Sequence, residues 1–308
     1  MSAKHDWSFR LARDEGVGAG LARIAAGRAE AAVEGLRSAA AGEADAAEAV
    51  HESRKDLKKL RAVLRLLEGE LGKRAYRREN ARFRDAGRAL SQVRDAEVKL
   101  ETLNVLADDT EELPERAVET WRQGLESDRR AAANIDRGRA AAEAIELVEG
   151  GLESILSWEL EDGSWKTVEA ALTRTYRRGR RAMKAAESSR SEGDFHEWRK
   201  RAKDLWYQLR LFEAAWPQLL GATAEEAHRL SELLGGHHDL ALLREDLGER
   251  RLAEPATAAL EAAIGRRQEQ LTGEALPLGR RLYAERPRDF VRRLRRYWEA
   301  FEEGESDS

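Results

Sequence analysis

Histidine, arginine and lysine recur in one stretch at a spacing suited to anion binding. In VHESRKDLKKLRAVLRLL, Val50 to Leu67, the residues His51, Arg54, Lys58, Arg61 and Arg65 are separated by 3, 4, 3 and 4 positions. On a helix that spacing aligns them along one edge, and at about 1.5 Å rise per residue the rail is roughly 21 Å long. No acid interrupts it. Cations crowded on one strip repel one another and no rule of helix formation asks for them, so an extended anion is the simplest thing that would. For this helix alone, a solvated surface face explains the strip about equally well. Val50, Leu57, Leu60, Leu64 and Leu67 form a separate apolar stripe about 100° wide, which must face a core.

The rail occurs twice. His51, Glu52, Arg54, Lys55, Lys58 and Leu60 reappear 145 positions later as His196, Glu197, Arg199, Lys200, Lys203 and Leu205, and Arg65 returns as Arg210. Trp206 stands where the fourth cation, Arg61, would be. A second block, offset by 144, aligns Leu90, Asp95, Glu101 and Leu103 with Leu234, Asp239, Glu245 and Leu247, and places Arg94 against His238. Two matched blocks in the same order indicate duplicated helical bundles. His51 and His196 could each be a partly buried histidine satisfied by a neighbouring helix. Their shared place at the head of both rails favours a part in the site, as phosphate donors or as polar anchors. Asp95 and Asp239 suit orienting an arginine or lysine better than catalysis.

Helices must carry these residues. Ala, Arg, Glu and Leu dominate the 308 residues, prolines number 5, and the 36% charged residues fit well-solvated outer faces, so the expected fold is all-α. A helix is expected from about Val17 to Ala40, ended near Gly42. The rail helix should be capped near Asp45 and close around Gly69 to Gly72, with a third helix from about Lys73 to Val105. Pro114 suits the first turn of the next helix, and Glu115 to Leu156 reads as one or two helices. Glu161 to Ser164 is the expected boundary, with Ser164 as an N-cap, which divides the chain into bundles at 10–157 and 164–303. In the second half, Asp194 with Glu197 and Thr223 with Glu226 resemble capping boxes, and Pro217, Pro255, Pro277 and Pro287 mark helix starts or ends. His196 is then expected in the first turn of its helix, where backbone N–H groups also favour anions. Phe290, Val291, Leu294 and Trp298 share one face of a closing helix.

Overall charge restricts what the rails can do. The formal net charge of −4 argues against a protein that coats nucleic acid through its overall field, so an anion site must be local. Charge is segregated: Glu101 to Glu112 holds acids and no base, whereas Leu172 to Lys184 holds bases and no acid. The absence of cysteine removes thiolate nucleophiles and cysteine metal sites. The opening residues show no leader-like apolar core and no apolar run is long enough to span a membrane, so a cytoplasmic protein is expected.

With the repeat in view, the sequence resembles the CHAD family, the conserved-histidine α-helical domain. The resemblance rests on VHESRKDLKKLRAVLRLL with LSQVRDAEVKL, and on FHEWRKRAKDLWYQLRLF with LGGHHDLALL. It covers nearly the whole chain and implies two four-helix bundles related by a pseudo-two-fold, with basic residues lining a central groove that binds inorganic polyphosphate. No cofactor or membrane is implied, and association with polyphosphate granules would follow. His237-His238-Asp239 departs from the Arg-Asp pair more usual in the family, which Arg94-Asp95 keeps.

The chemistry agrees with that implication. Polyphosphate offers a row of charges with no base or sugar, so its site needs cations in line and no stacking platform. To the two rails, His51 to Arg65 with Lys55 and His196 to Arg210 with Lys200, are added Arg77, Arg84, Arg88 and Arg94 on the third helix. Arg174, Arg177, Arg181 and Lys184 open the second bundle at similar spacing, and His238 completes the set. Three other readings compete. A metal-dependent phosphohydrolase could use His238-Asp239 or Glu225-x-x-His228, but the first half has Arg94 and Arg84 in the histidine positions, and arginine does not ligate metals. A nucleic-acid module would need exposed aromatics beside the rail, and Trp198 and Trp206 are the candidates. A structural adaptor would leave both rails as mere surface.

Overall fold

A computed structural model describes residues 8–42, 45–90, 92–110, 112–133, 137–160 and 165–304, with backbone only at 92–95, 132–133 and 137. The described residues are all-α. In chain order the helices are α1 (Val17–Ala41), α2 (Ala46–Leu66), α3 (Glu68–Ala89), α4 (Gln92–Asp108), α5 (Glu115–Ala133) and α6 (Arg137–Leu156). The second half contains α7 (Lys166–Ser189), α8 (Glu192–Leu211), α9 (Pro217–Glu249), α10 (Glu254–Leu282) and α11 (Pro287–Glu303), with a short 3₁₀ turn at Glu213–Ala215.

Local signals explain most of the boundaries. Gly42 closes α1 in the left-handed region at φ 72°, a conformation that favours glycine. The Asp45 carboxylate accepts from the backbone N–H groups of Ala47 and Glu48 and caps the rail helix α2. Pro217, Pro255 and Pro287 sit in the first turns of α9, α10 and α11, where a missing N–H loses nothing.

Elsewhere packing overrides the sequence signals. The expected helix from Lys73 to Val105 is two helices, and the first begins at Glu68, with a kink at Gly72 (φ 73°). Phe83 and Ala86 of α3 face the main core whereas Leu103 and Leu106 of α4 face a second one, so no single straight helix buries both sets. Thr223 caps nothing: it lies inside α9, its hydroxyl donating to Leu219 O at 2.7 Å. Pro277 lies inside α10, retained there by the buried Ala275, Leu276, Leu278 and Gly279 around it. The cap of α8 is Ser191, whose hydroxyl accepts from Asp194 N–H at 3.2 Å, ahead of the Asp194 expected. His196 therefore lies in the second turn, where its own N–H belongs to the helix ladder. The expected boundary at 161–164, with its Ser164 cap, lies outside the described residues.

The main core joins the halves. Leu36, Leu60 and Leu64 belong to the same cluster as Tyr176, Trp198 and Trp298. Three glycines permit its closest contacts: a Cβ on Gly279 would stand 2.3 Å from the Trp198 ring, one on Gly151 2.3 Å from the Phe83 ring and one on Gly179 2.4 Å from Tyr283. The second cluster packs Leu103 and Trp121 of α4 and α5 against Leu243, Leu247 and Ile264 of α9 and α10. Inside it the buried Asp246 accepts from Trp121 Nε1 at 3.1 Å and is gripped by Arg250 at 2.7 Å. First-half helices thus brace the far end of the second half, and α2 packs directly on α8.

Candidate anion-binding site

The first rail runs along the edge of α2 that borders α3. The apolar stripe Leu57, Leu60 and Leu64 is buried, which leaves the cations along the rim. Arg54 Nη1 donates to Gly87 O at 2.9 Å and Arg61 Nε to Asn80 Oδ1 at 3.0 Å, both on α3. Lys58 is exposed, His51 and Lys55 are partly buried, and Lys55 pairs with Glu52 one turn back. On α3, Arg84 forks onto Asp85 at 2.8 and 3.1 Å, Arg88 lies 3.8 Å from the same carboxylate, and Arg77 is exposed. Burial, then the charge of Arg65, pushes Arg61 down to about 10, and Arg84 adds to the effect. The side chain of Arg94 lies outside the described residues.

The second rail repeats this arrangement on α8 and α9. Lys200 pairs with Glu197 as Lys55 does with Glu52. Arg199 lies over Gly235 of α9, its Nε 3.6 Å from where a Cβ would stand, as Arg54 lies over Gly87. The imidazoles of His196 and His238 face each other with ring centres 4.1 Å apart. Burial depresses both, and the positive charge around them adds to it: Lys200 and Arg199 bear on His196, and His196 and Arg199 help to push His238 down to about 4. His237 points elsewhere, buried and stacked on Phe195 at 4.3 Å.

The rails meet where α2 crosses α8. Arg65 Nη1 lies 3.1 Å from Asp204 Oδ1. Lys203 is pushed down to about 8 by burial and then by Arg199, against the pull of Asp239 and Glu232, and Lys55 of the other rail lowers it further. Arg210 is partly buried at the end of α8. On α7, Arg174 is bound to Glu68 of α3 at 2.8 Å, and Arg177, Arg181 and Lys184 are exposed on later turns.

Sequence reasoning missed Asp204, Asn80 and the two glycines. Asp204 had one signal: the i,i+3 pair Arg201–Asp204, at 3.1 Å, falls 145 positions after the pair Asp56–Lys59, also at 3.1 Å, with the charges exchanged. The aromatics beside the rail are occupied. Trp198 is fully buried, and the Trp206 ring is engaged by Tyr207 at 4.6 Å and His228 at 4.0 Å. Among the described residues, no three His, Asp or Glu side chains group so as to hold a metal ion.

The family model of the CHAD domain matches residues 25–248, which takes in both rails. The chain belongs to the CHAD domain family. The crystal structure of the CHAD domain from the plant Ricinus communis is similar in fold, with a TM-score of 0.54, 17% identity and 94% of each chain covered. Among curated proteins none matches the chain. As a CHAD protein it carries its two histidine-headed helices, α2 and α8, at the contact between halves, with α3 and α9 outside them. No helix among the described residues is long and apolar enough to cross a membrane.

Proposed function

We propose that this CHAD protein binds inorganic polyphosphate, as a long linear polyanion, in the groove formed by α3, α2, α8 and α9, and does so without catalysis. Its two repeats, 10–157 and 164–303, would each contribute one rail. The observation that carries this reading is that the two rail helices pack on each other, α2 against α8, with Arg65 of the first rail 3.1 Å from Asp204 on the helix of the second. Like charges brought together at a partly buried interface raise the free energy of the empty site, and a bound polyanion offsets it. A cytoplasmic protein associated with polyphosphate granules is the setting this function implies.

Polyphosphate is favoured over nucleic acid because the rail aromatics present no open platform. Trp198 is buried and the Trp206 ring already stacks within the protein, whereas base recognition on single strands relies on exposed rings. The test is competition: long-chain polyphosphate should displace a labelled oligonucleotide at comparable phosphate concentration, and the reverse exchange should be poor. Equal competition by DNA, with Trp206→Ala as damaging as the loss of rail cations, would replace this reading with the nucleic-acid one. Incubation with polyphosphate or nucleoside triphosphates, with and without Mg²⁺ or Mn²⁺, should release no phosphate. Turnover abolished by His238→Ala or Asp239→Ala would make the protein a hydrolase.

A further inference from the structure

The His196–His238 contact is unusual for what surrounds it. Two imidazoles with ring centres 4.1 Å apart can both stay neutral at little cost, but the first proton they take up enters a cluster already positive. From α8 the pair is faced by Arg199, Lys200 and Glu197, and from α9 by His237. Glu197 is the nearby acid, and it is already held by Lys200 and Arg201. The acids Asp239 and Glu232 of α9 bear on Lys203. Lys55 of α2 brings a further cation toward Lys203, and Lys99 of α4 is held 3.9 Å from Asp246. Glu192 of α8, Arg244 of α9 and Glu269 of α10 bear on His237. The Nδ1 of His196 and the Nε of Arg199 are buried without a hydrogen-bond partner.

We propose that the His196–His238 pair makes the groove a proton-coupled site: a bound polyphosphate supplies the negative charge that lets the pair take a proton from solvent, so binding tightens as pH falls. The inference rests on the polyphosphate reading and adds its regulation. The sign follows from linkage. In the free protein burial and positive neighbours hold both histidines below their ordinary range, so the pair is neutral near pH 7. Phosphate oxygens against Arg199 and Lys200 reverse that field and raise the pair's affinity for a proton. Affinity is then greatest below the free-state pKa, falls as pH rises through the ligand-bound pKa, and is flat above it. Each unit by which the ligand raises the pair is worth about tenfold in affinity at the acid end.

Two measurements test this at constant ionic strength with long-chain polyphosphate, whose internal groups stay ionised across the range. Titration calorimetry near pH 6 in two buffers of different ionisation enthalpy should show net proton uptake, and affinity should rise about threefold or more between roughly pH 7.5 and 5.5. The His196→Gln, His238→Gln double variant should lose both the uptake and the pH slope. Because that variant could fail to fold, the imidazole C–H resonances of the wild-type protein are followed as well. Burial holds three histidines, His196, His237 and His238, below the ordinary range in the free protein, and the two of the pair should shift upward when polyphosphate is added. Binding without proton uptake, or histidines whose titration ignores polyphosphate, overturns the inference and leaves the polyphosphate reading intact. Absence of binding at every pH overturns both.

Discussion

Arg65 on α2 and Asp204 on α8 meet at 3.1 Å across the contact between the two halves of the chain. The Asp204 side chain is 8% exposed and also accepts from Arg201 at 3.1 Å. A residue the spacing assigns to ligand binding therefore also braces the fold, as Arg54 does through Gly87 O. Removing Arg65 leaves a buried carboxylate with one partner instead of two. Arg65→Ala should lower stability by about 1–3 kcal/mol, read by urea denaturation, with part of the loss recovered in Arg65→Ala, Asp204→Asn. A variant as stable as the wild type would show that the pair is no brace.

Lys55 and Lys200 separate binding from folding. Among the described residues each is paired with a glutamate on its own helix, and the Lys55 pair is exposed enough to contribute about 0–1 kcal/mol. Lys55→Glu, Lys200→Glu should leave the melting temperature nearly unchanged while weakening polyphosphate binding by about tenfold or more, since each charge-assisted contact is worth about 1.5–3 kcal/mol. Unchanged affinity in a folded variant would place the ligand elsewhere.

Lys203 gives a pH signature in the absence of ligand. Its folded-state pKa of about 8 lies below its ordinary value of 10.5, so the unfolded chain binds more protons between those limits. Its contribution should make stability rise with pH from about 8 to 10.5, and Lys203→Met should flatten that rise and stabilise the protein at neutral pH by about 1–2 kcal/mol. Denaturation at several pH values decides it, and an unchanged profile would show that Lys203 stays hydrated.

Gly279 tests the core behind the second rail. In an open helix, glycine to alanine stabilises by about 1 kcal/mol. Here the added Cβ would stand 2.3 Å from the Trp198 ring and 3.1 Å from Met183 Sδ. Gly279→Ala should therefore destabilise by about 1–3 kcal/mol, with a shift in tryptophan fluorescence. A stabilised variant would show that Trp198 has room to move.

The sequence by itself determined the all-helical class, the start of the rail helix α2, the spacing of the duplicated rails and the family. Each of these is written in local spacing: 3- and 4-residue steps put His51 to Arg65 on one edge whatever surrounds them, and Asp45 caps α2 through its immediate neighbours. Tertiary structure decided which cations have which partners. Nothing near Arg65 in the chain predicts Asp204, and nothing near Arg174 predicts Glu68, because those contacts depend on where α8 and α3 are carried by cores whose members are distant in sequence. The break between α3 and α4 has the same origin, since apolar residues on one expected helix serve two cores. The facing of His196 and His238 is likewise tertiary: spacing placed each on its helix, but only the packing of α8 on α9 brings the two rings together.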